Sequence, residues 1–195
     1  MSTPRPTGVA TEATPTLACL VFATSLAGCA DASIDDDAPR TEATFGERRP
    51  LADNTRWAED LFADPHVEHQ PEVIECDAAA RQIEGSTLEL DTGPCNYHVV
   101  AQPSTTDVTE GDRVIVRAFH DQLYAPEPAE AHLSLTLDGH VLWDERIAIP
   151  SPATPYTVTL DADFDAPAGR PLVLHLHNHG VNTYRLVDVT VEPLH

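Results

Sequence analysis

The sequence contains no lysine. All 11 basic residues are arginine, and 32 Asp and Glu set against them give a net charge of −21 over 195 residues. That balance excludes the usual nucleic-acid footprint, in which clustered Lys and Arg neutralise phosphates. It also opposes attraction to an anionic membrane surface. Aromatic residues are scarce, at 6%, so a core must come mostly from Val, Leu, Ile and Ala. Long apolar runs are missing as well. The ten residues Leu17 to Leu26 (LACLVFATSL) are too few to cross a bilayer core of about 30 Å, which takes ~20. The length suggests one domain with a tail.

What is present at the N-terminus is an address. Leu17–Leu26 has the length of a signal-peptide core, and it runs directly into Leu26-Ala27-Gly28-Cys29. This stretch resembles the lipobox of bacterial lipoproteins, a small-residue cleavage site followed by Cys. The resemblance covers about the first 30 residues. It implies removal of residues 1–28 as a signal peptide, acylation of Cys29 and palmitate-type anchoring to a bacterial membrane, with the outer membrane expected. The segment before the core departs from the pattern in being barely basic: it holds only Arg5, offset by Glu12. An ordinary cleaved signal peptide, with Cys29 incidental, is the alternative. Cys19 has almost no apolar core ahead of it and is a poor acylation site. Cleavage would leave the charge at −21, so the acidity belongs to the exported part.

After Cys29, residues 29–52 carry Asp31, Asp35, Asp36, Asp37, Glu42 and Glu47 and few apolar side chains. Such composition predicts a disordered acidic tether, reaching roughly 25–30 Å as a flexible coil. Residues 53–65 predict a short helix. Asp53 or Asn54 can cap it, Trp57 and Leu61 share a face at i,i+4, and Pro65 stops it. Trp57 is expected to dock at the core edge. Cys76 and Cys95 remain, and an exported domain with two cysteines left over is expected to pair them in a disulfide. A catalytic thiol is the weaker alternative, since no Cys-His signature surrounds either one.

From Ser86 onward the pattern is β. Leu133, Leu135 and Leu137 alternate with polar residues, and Asp138-Gly139 then marks a two-residue hairpin. Leu172, Leu174 and Leu176 alternate again, and Val187, Val189 and Val191 close the chain. About eight or nine short strands separated by Pro-, Gly- and Asp-rich turns predict an all-β antiparallel β-sandwich, a jelly roll, over residues 66–195. Residues Asp77–Gln82 could form one helical turn. The C-terminal third has a Pro167-Ala168-Gly169 turn, a Leu strand, Asn178-His179-Gly180, then Asn182-Thr183-Tyr184 and a Val strand. In this order it resembles the end of galactose-binding-like sandwiches over about 40 residues.

Histidine carries the candidate chemistry. Residues i and i+2 of a strand share a face. With Leu172, Leu174 and Leu176 in the core, His175 and His177 must point the other way together. Paired imidazoles suit Zn²⁺ or Cu²⁺, with His179, His120 or His132 as further ligands if the topology allows. The competing reading is a set of surface histidines in an acidic field. His66-Val67-Glu68-His69 ranks below these, because the stretch after Pro65 does not read as a metal-binding helix. Asp161, Asp163 and Asp165 have calcium-loop spacing, but Ala166 and Leu172 stand where such a loop needs Gly and Glu. Calcium is therefore a lesser expectation. Tyr184 is a candidate ligand-binding platform, and Trp143 is expected in the core. No nucleophile elbow, phosphate loop or spaced carboxylate pair is present. The sequence therefore leans away from catalysis. It predicts a lipid-anchored module of the cell envelope that binds or scaffolds, with a carbohydrate or an envelope protein as partner. A histidine-based metal protein and a purely structural surface lipoprotein are the alternatives.

Overall fold

In a computed structural model describing residues 44–195, the alternating segments form two antiparallel sheets packed as a jelly-roll sandwich. The strands are β1 (Arg49–Pro50), β2 (Ala58–Glu59), β3 (Arg81–Glu84), β4 (Thr87–Asp91), β5 (Tyr97–Pro103), β6 (Arg113–His120), β7 (Ala129–Leu137), β8 (His140–Ile149), β9 (Thr154–Asp161), β10 (Pro171–His177) and β11 (Thr183–Glu192). One sheet runs β3-β4-β11-β6-β9, with β1 also pairing to β11; the other runs β2-β5-β10-β7-β8. Leu133, Leu135 and Leu137 of β7 and Leu172, Leu174 and Leu176 of β10 face Leu88, Val114, Val116, Val189 and Val191 of the other sheet across one aliphatic core. The Asp138-Gly139 hairpin has φ of 50° and 86°, the pair of positive values a two-residue turn between twisted strands requires.

Two bulges change which side chains the core receives. In β11 the pairing to β6 shifts between Leu186 and Asp188. The extra residue, Val187, reverses the parity, so Tyr184 and Leu186 face inward before it and Val189 and Val191 after it. Tyr184 is therefore buried at 2% exposure, its hydroxyl donating to Asn178 Oδ1 at 2.7 Å. It is not the exposed platform that strict alternation predicts. In β8 the register to β7 shifts past Trp143; Trp143 enters the core while Val141 turns out to solvent.

The domain begins earlier than composition suggests. Phe45 bridges to Leu194, β1 pairs with β11, and Leu51 is fully buried. Burying one Leu contributes ~1.5–3 kcal/mol, and backbone pairing does not depend on side-chain polarity. Residues 44–52 thus belong to the sandwich rather than to a tether; Cys29 and the rest of the acidic segment lie outside the described residues. The short helix expected over 53–65 is instead two 3-10 turns, Asn54–Arg56 and Leu61–Ala63, separated by β2. Asp53 and Asp60 cap them by accepting from the backbone N–H of Thr55 and Phe62. Trp57 docks in the core, its Nε1–H donating to Asn54 Oδ1 at 3.0 Å. Residues Ala78–Ala80 form the turn expected near 77–82, but Arg81 already opens β3.

Candidate metal centre

The outer face of the five-stranded sheet carries the histidines. Cross-strand register places Tyr97, His177, His132 and Arg146 on one rung, and Val99, His175, Ser134 and Asp144 on the next. Residues opposite each other in an antiparallel pair share a face, so this row of polar groups follows from the inward Leu alternation of β7 and β10.

A strap from Asp60 to Cys76 crosses that face. It is held at one end by β2, which pairs with β5, and at the other by the Cys76–Cys95 disulfide. Leu61, Ala63 and Ile74 of the strap pack on Tyr97, Val99 and Val173. The strap contains a third 3-10 turn, Val67–His69, with His66 at its N-cap. Side chains at i and i+3 of a 3-10 turn eclipse one another. His66 and His69 are accordingly stacked, with ring centroids 5.5 Å apart. The His66-x-x-His69 pair, ranked below His175 and His177 in the sequence, thus faces the sheet together, with a 3-10 turn in place of an α-helix.

The strap and the sheet meet at four imidazoles. His69 Nδ1 and His132 Nδ1 lie 3.2 Å apart. Ligand nitrogens of His66, His69 and His132 all fall within 4.8 Å of one another. Two nitrogens bound at 2.0–2.1 Å to one tetrahedral ion are separated by about 3.3 Å, so the His69–His132 spacing fits a shared cation. The ring of His175 is 4.9 Å from that of His66, 5.7 Å from His69 and 5.4 Å from His132.

Carboxylates hold these rings from behind. Asp144 Oδ2 accepts from His132 Nε2 at 3.0 Å, and Asp64 Oδ1 accepts from His175 Nδ1 at 2.9 Å. The carboxylates fix the tautomers: His132 presents its Nδ1 lone pair to His69, and His175 keeps a free lone pair on Nε2. Metal-bound imidazoles are typically oriented in this way. Asp64 also accepts from the Tyr97 hydroxyl and, at 2.9 Å, from the His66 backbone N–H. Among the described residues, the buried Nε2 atoms of His66 and His175 have no hydrogen-bond partner. Leaving such an atom unpaired costs roughly 1–3 kcal/mol, and a cation among the rings would remove that cost.

Burial favours the neutral form of the sheet's imidazoles His132, His175 and His177, and neutral imidazole is the ligand form. Burial pulls the His175 pKa down to about 4, against the opposing pull of Asp64. Burial likewise lowers His132, opposed by Asp144, and lowers His177, helped by the neighbouring His179 and His69. Tyr97 is pushed far up by burial and by Asp64, so its hydroxyl stays a donor.

A stability consequence follows for the metal-free protein. His98, buried beside the Asp91 carbonyl, is also lowered by burial. A His whose folded pKa lies below its unfolded value of ~6.5 binds its proton first in the unfolded chain. Stability is then complete above about pH 6.5 and falls as pH drops toward the folded values. Chelator-treated protein should melt at a lower temperature at about pH 5 than at about pH 7.5. An equal or higher melting temperature at pH 5 would contradict this electrostatic account.

Of the other sequence candidates, His177 and His179 stand beside the cluster, with centroids 4.9 Å apart and His177 5.6 Å from His69. His120 does not join them. It lies on β6, in the other sheet, bonded to the Asp121 carbonyl at 2.7 Å and the Tyr156 hydroxyl at 3.1 Å. In the calcium-like run, Asp161 pairs with Arg113 at 3.0 Å and Asp165 accepts from the Glu110 N–H at 2.9 Å. Both carboxylates therefore brace turns and strand ends.

No family model matches the chain, and no curated protein does. Solved structures share its outline. The xylan-binding module CBM15 is 11% identical, with 75% of this chain and 96% of that one covered and a TM-score of 0.44. TmCBM61, solved with β-1,4-galactotriose, is 8% identical, with coverage of 69% and 98% and a TM-score of 0.36. The CBM22-1 xylan-binding domain of Xyn10C from Paenibacillus barcinonensis is 11% identical, with coverage of 78% and 95% and a TM-score of 0.36. The likeness is one of sandwich outline.

Proposed function

We propose that this chain is an exported, lipid-anchored β-sandwich that binds a transition-metal ion, Zn²⁺ or Cu²⁺, through His66, His69 and His132, with His175 on the buried side. The observation that carries the reading is the 3.2 Å approach of His69 Nδ1 to His132 Nδ1, with Asp144 holding the far nitrogen of His132. Imidazole suits both ions, and the cysteines of the described domain are joined in a disulfide, so no thiolate competes. Zinc titration of the purified chain tests it: one ion per chain, retained on dialysis, is expected. Loss of that binding in the His66→Ala/His69→Ala variant would tie it to the strap.

The anchor rests on sequence alone, the apolar run ending in Leu-Ala-Gly-Cys at Cys29. Two or more acyl chains give stable attachment where one is marginal. Cys29→Ala should therefore move the protein from the membrane fraction to the soluble fraction and abolish fatty-acid labelling. Labelling that persists in the variant would refute acylation at Cys29. For a carbohydrate partner, the other binding reading, the cleft beside the cluster is one place of entry. The described residues lining that cleft are His, Ala, Pro, Glu and Arg, so a sugar there would be held by hydrogen bonds to the charged and imidazole groups.

A further inference from the structure

His69 and His132 form one wall of an open cleft of about 660 Å³, which also presents Arg146, His177, Glu127 and Glu130. An ion held by the histidines therefore has a side turned to the cleft. Closed, four-ligand sites are structural, whereas an ion with an open side takes an exogenous ligand, sometimes by expanding to five-coordinate. We propose that this cleft binds a small hydroxycarboxylate, with one carboxylate oxygen on the metal ion and the other on the Arg146 guanidinium. The inference rests on the metal reading above and names what the ion is there to hold.

Arg146 is the observation that selects a carboxylate. It is the cross-strand partner of His132 on the same outward rung, and it lines the cleft together with His69, His132 and His177. Its positive charge is felt by both His132 and His177. The chain has 11 arginines and no lysine, and among the described residues Arg146 is the Arg that lines this cleft. Arg185, by contrast, is 19% exposed and held between Glu89 and Asp121. Arg146 pairs with Glu130 at 3.0 Å, but the two side chains are 52% and 54% exposed. Exposed pairs of this kind contribute little, so the guanidinium is free to turn toward a ligand. The planar fork of Arg matches a carboxylate with two parallel N–H donors.

Glu127 and Glu130 set the rest of the preference. Two carboxylates on the rim repel a polyanion, so a single negative charge is the limit. They are also strong acceptors for hydroxyl groups. A ligand with one carboxylate and several hydroxyls satisfies the ion, Arg146 and both glutamates together, whereas a neutral polyol leaves Arg146 and the ion without an anionic oxygen.

The test uses the full chain loaded with Co²⁺, whose visible bands report on its ligands, titrated with D-glucuronate, acetate and D-glucose. Glucuronate should shift the cobalt bands and bind at least tenfold more tightly than acetate, and glucose should leave the bands unchanged. At full cobalt occupancy, Arg146→Ala should weaken glucuronate at least tenfold, and Glu127→Gln should narrow its advantage over acetate. Cobalt bands that ignore saturating glucuronate, or an equal response to glucose, would overturn the hydroxycarboxylate proposal alone. Absence of cobalt bands in the parent chain would overturn the metal site and this proposal with it.

Discussion

His132→Ala is expected to abolish stoichiometric zinc binding, weakening it at least 100-fold, or roughly 2.7 kcal/mol or more. His132 is the sheet's contribution to a site whose other close donors, His66 and His69, come from the strap. Without it, the strap's two imidazoles have no fixed partner at 3.2 Å, and two imidazoles alone bind weakly. The side chain is 2% exposed, so its truncation leaves a hole as well. Circular dichroism and a melting curve of the metal-free variant separate lost binding from lost folding. Asp144→Asn offers a milder comparison. It keeps the imidazole but weakens the group that orients it, and a loss of 10–100-fold in affinity is the usual scale for such a partner. Zinc affinity unchanged in both variants would place any bound ion elsewhere.

Removal of the Cys76–Cys95 bridge is the second large effect. The two cysteines are 19 residues apart, and closing a loop of that size is worth about 3 kcal/mol in the chain-entropy model. For a domain of this size such a loss lowers the melting temperature by roughly 6–12 °C. The bridge also pins the strap to the start of β5, and the strap carries His66 and His69. Cys76→Ser/Cys95→Ser should therefore lose metal affinity as well as stability. Melting curves with and without reductant, paired with zinc titration, measure both. A variant that melts like the parent would show that the strap is held by its apolar contacts alone.

Much of the sandwich is legible in the sequence because period-two alternation is local. Leu133-Leu135-Leu137 and Leu172-Leu174-Leu176 each declare an inward face, and Asp138-Gly139 declares the turn between β7 and β8. The same alternation sends His132, His175 and His177 outward together. Other features depend on information that alternation does not hold. A single inserted residue at Val187 turns Tyr184 from the solvent side to the core. Residues 44–52 look like tether by composition, yet backbone pairing and one buried Leu51 fasten them to β11. His66 and His69 were hidden for two reasons. Their partners are more than 60 residues away along the chain, and a 3-10 turn rather than an α-helix aligns them. The available signal was the i,i+3 spacing beside a proline-stopped segment, close to a cysteine expected to be bridged.

The strap and the sheet are proposed to share one metal ion. X-ray absorption at the zinc edge, on stoichiometrically loaded protein, tests it most directly. A shared ion should show a shell of at least three imidazole nitrogens at about 2.0–2.1 Å and no sulfur at ~2.3 Å, with the imidazole count falling in His69→Ala. A zinc shell made of carboxylate and water oxygens, unchanged in that variant, would contradict it.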